Sequence, residues 1–410
     1  MKNREKNREK KMKKILILGA GIYQVPLINT AKKMGVETIV TSIKGNYPGF
    51  AIADKVYYEN TVDYDAILDL ARREKVDGVV TAGTDVAVPT IGKVCDELGL
   101  RGLSFEAATI AANKLLMKEA YEREGVRSAK FREIAVDDEN YADKLEGLKF
   151  PLIFKSIDSS GSRGITRVDS PEEFAAARQT SLDNTRSDKF IVEEFIEGEE
   201  FGAQAFVQDG KVEFILPHGD YVFKGDTGVP IGHFAPYDLP AEVVEDAKET
   251  LAAAIHAMKL DNCAINADFI LKDGKTYVLE IGGRSGATCL AELTAIYYGY
   301  DYYEKIIRVA LDEKVDFSSD NAVPNASHLL MADKDGRIVS QADNNPRKAD
   351  GSYEDPRLLD VQFDYEPGDE VHKFRIGPHR IGHVITKGAT LDEAVESLEK
   401  AMANVSIVVE

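Results

Sequence analysis

Over the first hundred residues, short apolar runs alternate with stretches of helical spacing. Residues 14–18, Lys-Ile-Leu-Ile-Leu, read as a buried strand, residues 23–34 carry apolar positions at helical intervals, and residues 36–41 are again β-branched. A strand over 56–59, a helix over 64–73, a strand over 78–81 and a helix over 86–98 continue the series. This alternation predicts a parallel sheet with helices on both faces. The spacing then predicts one long helix over 107–124, ended by Gly125, followed by strands over 130–134, 151–155 and 189–194. Beyond about residue 315 a strand over 381–388, an amphipathic helix over 391–402 and the apolar run 405–409 predict a small α+β module, with 343–356 a polar, turn-rich excursion.

Composition narrows the class. At 410 residues, 44% hydrophobic and 30% charged, the chain is long enough for several packed units. A net charge of -19 argues against a nucleic-acid surface, which normally needs a basic excess. The only basic run, over residues 1–14, mixes Glu with Lys and Arg and has no apolar core. It predicts a disordered tail over 1–12 and neither a secretory signal nor a membrane anchor. No apolar run is long enough for a bilayer, and Cys95, Cys263 and Cys289 are scattered, so a soluble protein of the reducing cytoplasm is expected.

Three segments carry candidate chemistry. Residues 266–281 place two apolar runs around Asp273-Gly274, a β-hairpin with Asp268 on one strand and Glu280 on the other. Side-by-side carboxylates repel unless a cation lies between them, and oxygen-only ligands favour Mg²⁺; two solvated acids are the other reading. Lys155 ends a strand just before Ser159-Ser160-Gly161-Ser162-Arg163-Gly164-Ile165, a small-residue loop able to lay N–H groups over phosphates, or an ordinary hairpin loop. No Gly-Lys-Ser/Thr follows, so it is not a Walker loop. The first turn, Gly19-Ala20-Gly21, has two of the three glycines of the dinucleotide fingerprint and reads as a tight strand-to-helix turn. Asp85 is expected to be a helix N-cap.

In order, these pieces resemble the ATP-grasp superfamily of carboxylate-amine ligases, among them L-amino acid ligases and biotin carboxylase-like enzymes. The resemblance runs from about Lys13 to the C-terminus and implies a mixed α/β and α+β fold: a Rossmann-like pre-ATP-grasp domain (13–105), an ATP-grasp domain (106–315, its lid about 126–196) and a C-terminal module (316–410). It also implies that Lys114 and Lys155 bind phosphates and that Ser160, Gly161, Ser162 and Arg163 form the lid loop. The backbone of Glu194, Phe195 and Ile196 would read the adenine edge, Glu193 its amino group, and Glu200 the ribose. Asp268 and Glu280 take the place of the magnesium ligands, and Arg284 that of the arginine that steadies an acyl phosphate. One departure stands out: the family's Glu-x-Asn-x-Arg reads Glu280-Ile281-Gly282-Gly283-Arg284, so water replaces the second ion's asparagine or that ion is weaker.

The implied chemistry is activation of a carboxylate by in-line attack on the γ-phosphorus, with Lys114, Lys155, Arg163 and a divalent ion (Mg²⁺, with Mn²⁺ as an alternative) stabilising the phosphoryl charge. An amine then attacks the acyl carbon. The partners implied are a small carboxylate, an amino acid foremost, and an amine; a homodimer is among the family's assemblies. His233, Ser285 and Gly286, with Arg284, are candidate substrate contacts, although His233 beside Phe234 also fits a structural role, as does His218. Thr288 is expected to cap a helix. His379, Arg375 and Arg380 either face the cleft or, by default, are surface charges. Two alternatives stay open: a bicarbonate-activating carboxylase or carbamoyl-phosphate-type enzyme, and a catalytically weakened nucleotide-binding regulator, which Gly282 keeps in play.

Overall fold

The computed structural model describes residues 12–159, 164–224 and 229–410. The N-terminal alternation forms a four-stranded parallel sheet in the order Lys55–Tyr57, Glu37–Thr41, Lys14–Leu18, Gly78–Val80. Its turn after Lys14–Leu18 is filled from within: Gly19 has φ 101°, and Gln24 accepts from the Gly21 N–H (2.8 Å) while donating to the Ala82 carbonyl (2.5 Å). A side chain thus holds the amide that an anion would otherwise take.

The long helix expected over 107–124 is two helices, Phe105–Ala111 and Lys114–Glu124. The cause is Asn113, whose side chain accepts from the N–H groups of Leu115 and Leu116 and starts a new helix. Lys114 therefore stands at a helix N-terminus. An antiparallel sheet follows in the order Phe131–Ala135, Lys189–Glu194, Leu152–Ser156, Ile165–Val168.

An eight-stranded sheet forms the centre, in the order Lys275–Gly282, Cys263–Lys272, Glu199–Gln208, Lys211–Val222, Pro230–Ala235, Asn325–Met331, Arg380–Lys387, Leu358–Phe363. Its last three strands come from the C-terminal part of the chain, so the α+β pattern seen there extends the same sheet. Helices Lys114–Glu124 and Ala241–Ala257 cover one face, where Tyr121, Phe201, Phe269 and Leu251 are buried in a common core. Helix Tyr302–Ala310 packs against the N-terminal sheet through Tyr302 and Ile307. Among the described residues no helix is long and apolar enough to cross a membrane, and Cys95, Cys263 and Cys289 are buried free thiols.

Candidate active site

The hairpin forms as its turn dictates: Asp273 and Gly274 both have positive φ (50° and 71°), as a two-residue turn of this kind requires. Its register sets Asp268 directly opposite Glu280. Burial, and then the charges of Glu280, Asp220 and Glu200, push the half-buried Asp268 carboxyl up to about 8. Carboxylates that strain against one another in this way, with oxygen the only donor atom, fit a hard divalent cation. Lys114 reaches the same place from its helix terminus, bonding Glu280 Oε1 (3.1 Å) and the Ser159 carbonyl (2.7 Å).

Lys155 lies on the strand beside Glu193. Glu193 is held between two lysines, Lys155 (2.8 Å) and Lys118 (3.4 Å), and only 2% of it is exposed. Burial opposes its ionisation, but the two lysines outweigh burial and hold its carboxyl below the usual range. Burial pulls the Lys118 ammonium down to about 8, while the carboxylate partners outweigh burial at Lys155 and raise it. Sequence reasoning missed Lys118. It follows Lys114 by one helical turn, on the same face, which is the signal that points to it. Glu193 thus already accepts from both lysines, with lone pairs to spare for a further donor.

In the adjoining hinge, the N–H groups of Glu194 and Phe195 are used by the carbonyls of Lys130 and Pro151, and the Ile196 N–H has no such partner among the described residues. Glu200 pairs across the sheet with Ile270, two positions from the Gly202–Asp268 pair, so Glu200 and Asp268 share a face. Burial and Asp220 raise its carboxyl. Ser160, Gly161, Ser162 and Arg163 lie outside the described residues.

His233 and His218 are buried and turn Nδ1 to one oxygen of Asp220, at 2.6 and 3.0 Å. Burial opposes the Asp220 charge, yet the two imidazoles carry its carboxyl well below the usual range. His218 lies over Gly202, which has no Cβ to obstruct the ring.

Asp85 corrects the sequence reading. The helix begins at Val88 with Ala87 at the cap, and the Asp85 carboxylate instead grips Arg284 in a fork: Nε to Oδ1 at 2.8 Å, Nη2 to Oδ2 at 2.9 Å. The two residues are 199 apart in the chain, so no local pattern announces the pair. Arg284 also donates to the Ser285 carbonyl (3.2 Å), and among the described residues two of its five N–H donors are left over. Ser285 is fully buried with no partner for its Oγ among the described residues, and the Gly286 N–H donates to Gln204 (2.9 Å). Thr288 does not cap the next helix: Thr288 and Cys289 both have positive φ (54° and 69°), and the cap at Cys289 makes no side-chain bond. Arg380 is not a surface charge either. It is buried and forked onto Asp364 (2.7 and 3.1 Å), with Tyr23 under its guanidinium. Arg375 and His379 lie at the surface as expected, with Arg375 on Asp335.

Two family models match the chain: the ATP-grasp domain over residues 148–292 and the L-amino acid ligase C-terminal domain 2 over residues 328–410. The crystal structure of phosphoribosylglycinamide synthetase from Anaerococcus prevotii is 34% identical, covers 97% of this chain and 100% of its own, and superposes with a TM-score of 0.83. The biotin carboxylase domain of 2-oxoglutarate carboxylase from Hydrogenobacter thermophilus, solved with MgADP, ADP and bicarbonate, has a TM-score of 0.79 at 18% identity, covering 97% of this chain and 91% of its own. Among curated sequences, the formate-dependent phosphoribosylglycinamide formyltransferase of Methanocella arvoryzae is 24% identical over 96% of this chain and 92% of its own length.

Proposed function

We propose substrates for this chain from the premise that it belongs to the ATP-grasp family of ATP-dependent ligases, enzymes that form C–N bonds. In our reading the acid is a small carboxylate, foremost that of an amino acid, activated as an acyl phosphate and then joined to an amine, with release of ADP and phosphate. The observation that carries this reading is Arg284: it feels the charges of Asp268 and Glu280 and, while forked onto Asp85, keeps two N–H donors uncommitted among the described residues for an acyl phosphate. The match of residues 328–410 to the L-amino acid ligase C-terminal domain 2 points the same way.

Lys155 and Lys114 are assigned to ATP phosphates, Glu194 to Ile196 to adenine and Glu200 to the ribose. Asp268 and Glu280 would hold the divalent ion, which when bound supplies charge neutralisation at the phosphate oxygens. Lys114 would exchange its bond with Glu280 for one to phosphate. Arg284, with two N–H donors uncommitted, would face the acyl phosphate. The lysines contribute by electrostatic stabilisation of a phosphoryl group in flight, which is most of what phosphoryl transfer needs from a protein.

A second reading has its own support: the 34% identical relative is a phosphoribosylglycinamide synthetase along its whole length. Release of ADP, measured against amino acid pairs, glycine with phosphoribosylamine, formate with glycinamide ribonucleotide, and bicarbonate, separates the readings. Turnover with amino acid pairs alone supports ours. Turnover only with a phosphoribosyl substrate or with bicarbonate refutes it.

A further inference from the structure

The departure at Gly282 has a physical cause across the cleft. A Cβ built on Gly282 lies 2.9 Å from Asp85 Oδ1 and 3.6 Å from Arg284 Cζ, so a side chain there requires the Asp85 carboxylate to shift. An asparagine at this place would carry its amide oxygen about 2.4 Å from its own Cβ, from ordinary bond lengths and a trigonal angle. Asp85 Oδ1 therefore lies within the reach of the side chain an asparagine would have there, two positions along the strand from Glu280. It comes from the loop after strand Gly78–Val80, in a different sheet.

We infer that Asp85 takes the place of the family's missing asparagine: its Oδ1, which also accepts from Arg284 Nε, completes the shell of a second divalent ion beside Glu280, while its Oδ2 accepts from Arg284 Nη2. A carboxylate has lone pairs enough for both tasks. Lys114, from the helix capped by Asn113, is bonded to Glu280 Oε1 at 3.1 Å. The substitution of one ligand by another from across the cleft has a consequence. The second ion binds only when the N-terminal sheet and the hairpin are docked together, and the same contact fixes the arginine assigned to the acyl phosphate.

This inference rests on the metal assignment of Asp268 and Glu280, and the test separates the two. Mn²⁺ binding is titrated by electron paramagnetic resonance in the presence of a non-hydrolysable ATP analogue, with circular dichroism to establish folding. The chain as it stands is expected to bind two Mn²⁺. Asp85→Ala should weaken the second by roughly tenfold to a hundredfold, the usual loss when a metal site loses a supporting group. Asp85→Asn, which keeps a neutral oxygen of the family's kind, should retain most of the second ion. The pair Asp85→Ala with Gly282→Asn should regain it, since the new side chain enters the space the aspartate leaves. Two Mn²⁺ bound normally by Asp85→Ala, equal losses in the Ala and Asn variants, or no recovery in the double variant each overturn the inference. Asp268→Asn is the control for the premise: both ions bound normally there would remove the metal assignment itself, whatever Asp85 does.

Discussion

Glu193→Gln should be among the most destabilising single changes near this site, and its size follows from the burial of its partners. Lys118 is 2% exposed and Lys155 is 14% exposed at the side chain, and both lean on one carboxylate. Removing that charge leaves two ammonium groups facing only the more distant charges of Glu280 and Glu200, and breaking a buried pair in this way costs about 3–5 kcal/mol. Urea unfolding followed by the tyrosine signal, with hydrogen exchange on strand Lys189–Glu194, measures the loss where it arises. Adding Lys118→Met should return part of it, since one of the stranded charges is gone. A Glu193→Gln variant within about 1 kcal/mol of the parent, well below the cost of a broken buried pair, would refute the reasoning.

Three other outcomes follow. Asp246, its carboxyl at about 2 although burial opposes this, accepts from the Thr276 N–H (2.8 Å), Arg127 (2.6 Å) and Lys275 (3.0 Å). Because its folded value lies below the unfolded 3.8, it contributes about 2 kcal/mol that is present above pH 4 and lost as pH falls towards 2; acid unfolding of Asp246→Asn should lack that part of the slope. Gly202→Ala places a Cβ 2.1 Å from His218 Cε1, so the ring must leave Asp220, and melting should report a loss of about 1–3 kcal/mol. Arg284→Ala should lower product formation by roughly a hundredfold with ATP affinity nearly unchanged, and should also lower the melting temperature because Asp85 is left unpaired; lost stability with full activity per folded molecule would mark the arginine as structural only.

What was legible in the chain was local. The Asp273-Gly274 turn and the apolar alternation on both sides place Asp268 opposite Glu280 without any distant information, and the β-branched runs at 14–18 and 36–41 make a parallel sheet for the same reason. The break at Asn113 was missed because apolar spacing continues across it; only the capping preference of asparagine gives it away. The long-range pairs were beyond reach. Asp85 with Arg284 and Arg380 with Asp364 join elements whose approach depends on the whole fold, and each aspartate looks from sequence like a turn or surface acid. The same holds for the C-terminal strands: their pattern shows that they are strands, but not that Asn325–Met331 pairs with Pro230–Ala235 to prolong the central sheet.

The central claim is that a carboxylate oxygen attacks the γ-phosphorus of ATP. It is tested most directly with a carboxylate substrate labelled with ¹⁸O in both oxygens, under conditions of turnover, by mass analysis of the phosphate released. An acyl phosphate intermediate transfers one labelled oxygen to each phosphate, matched by one ADP. Phosphate free of label, formed at the rate of ADP, would mean that water attacks ATP directly and would contradict the account.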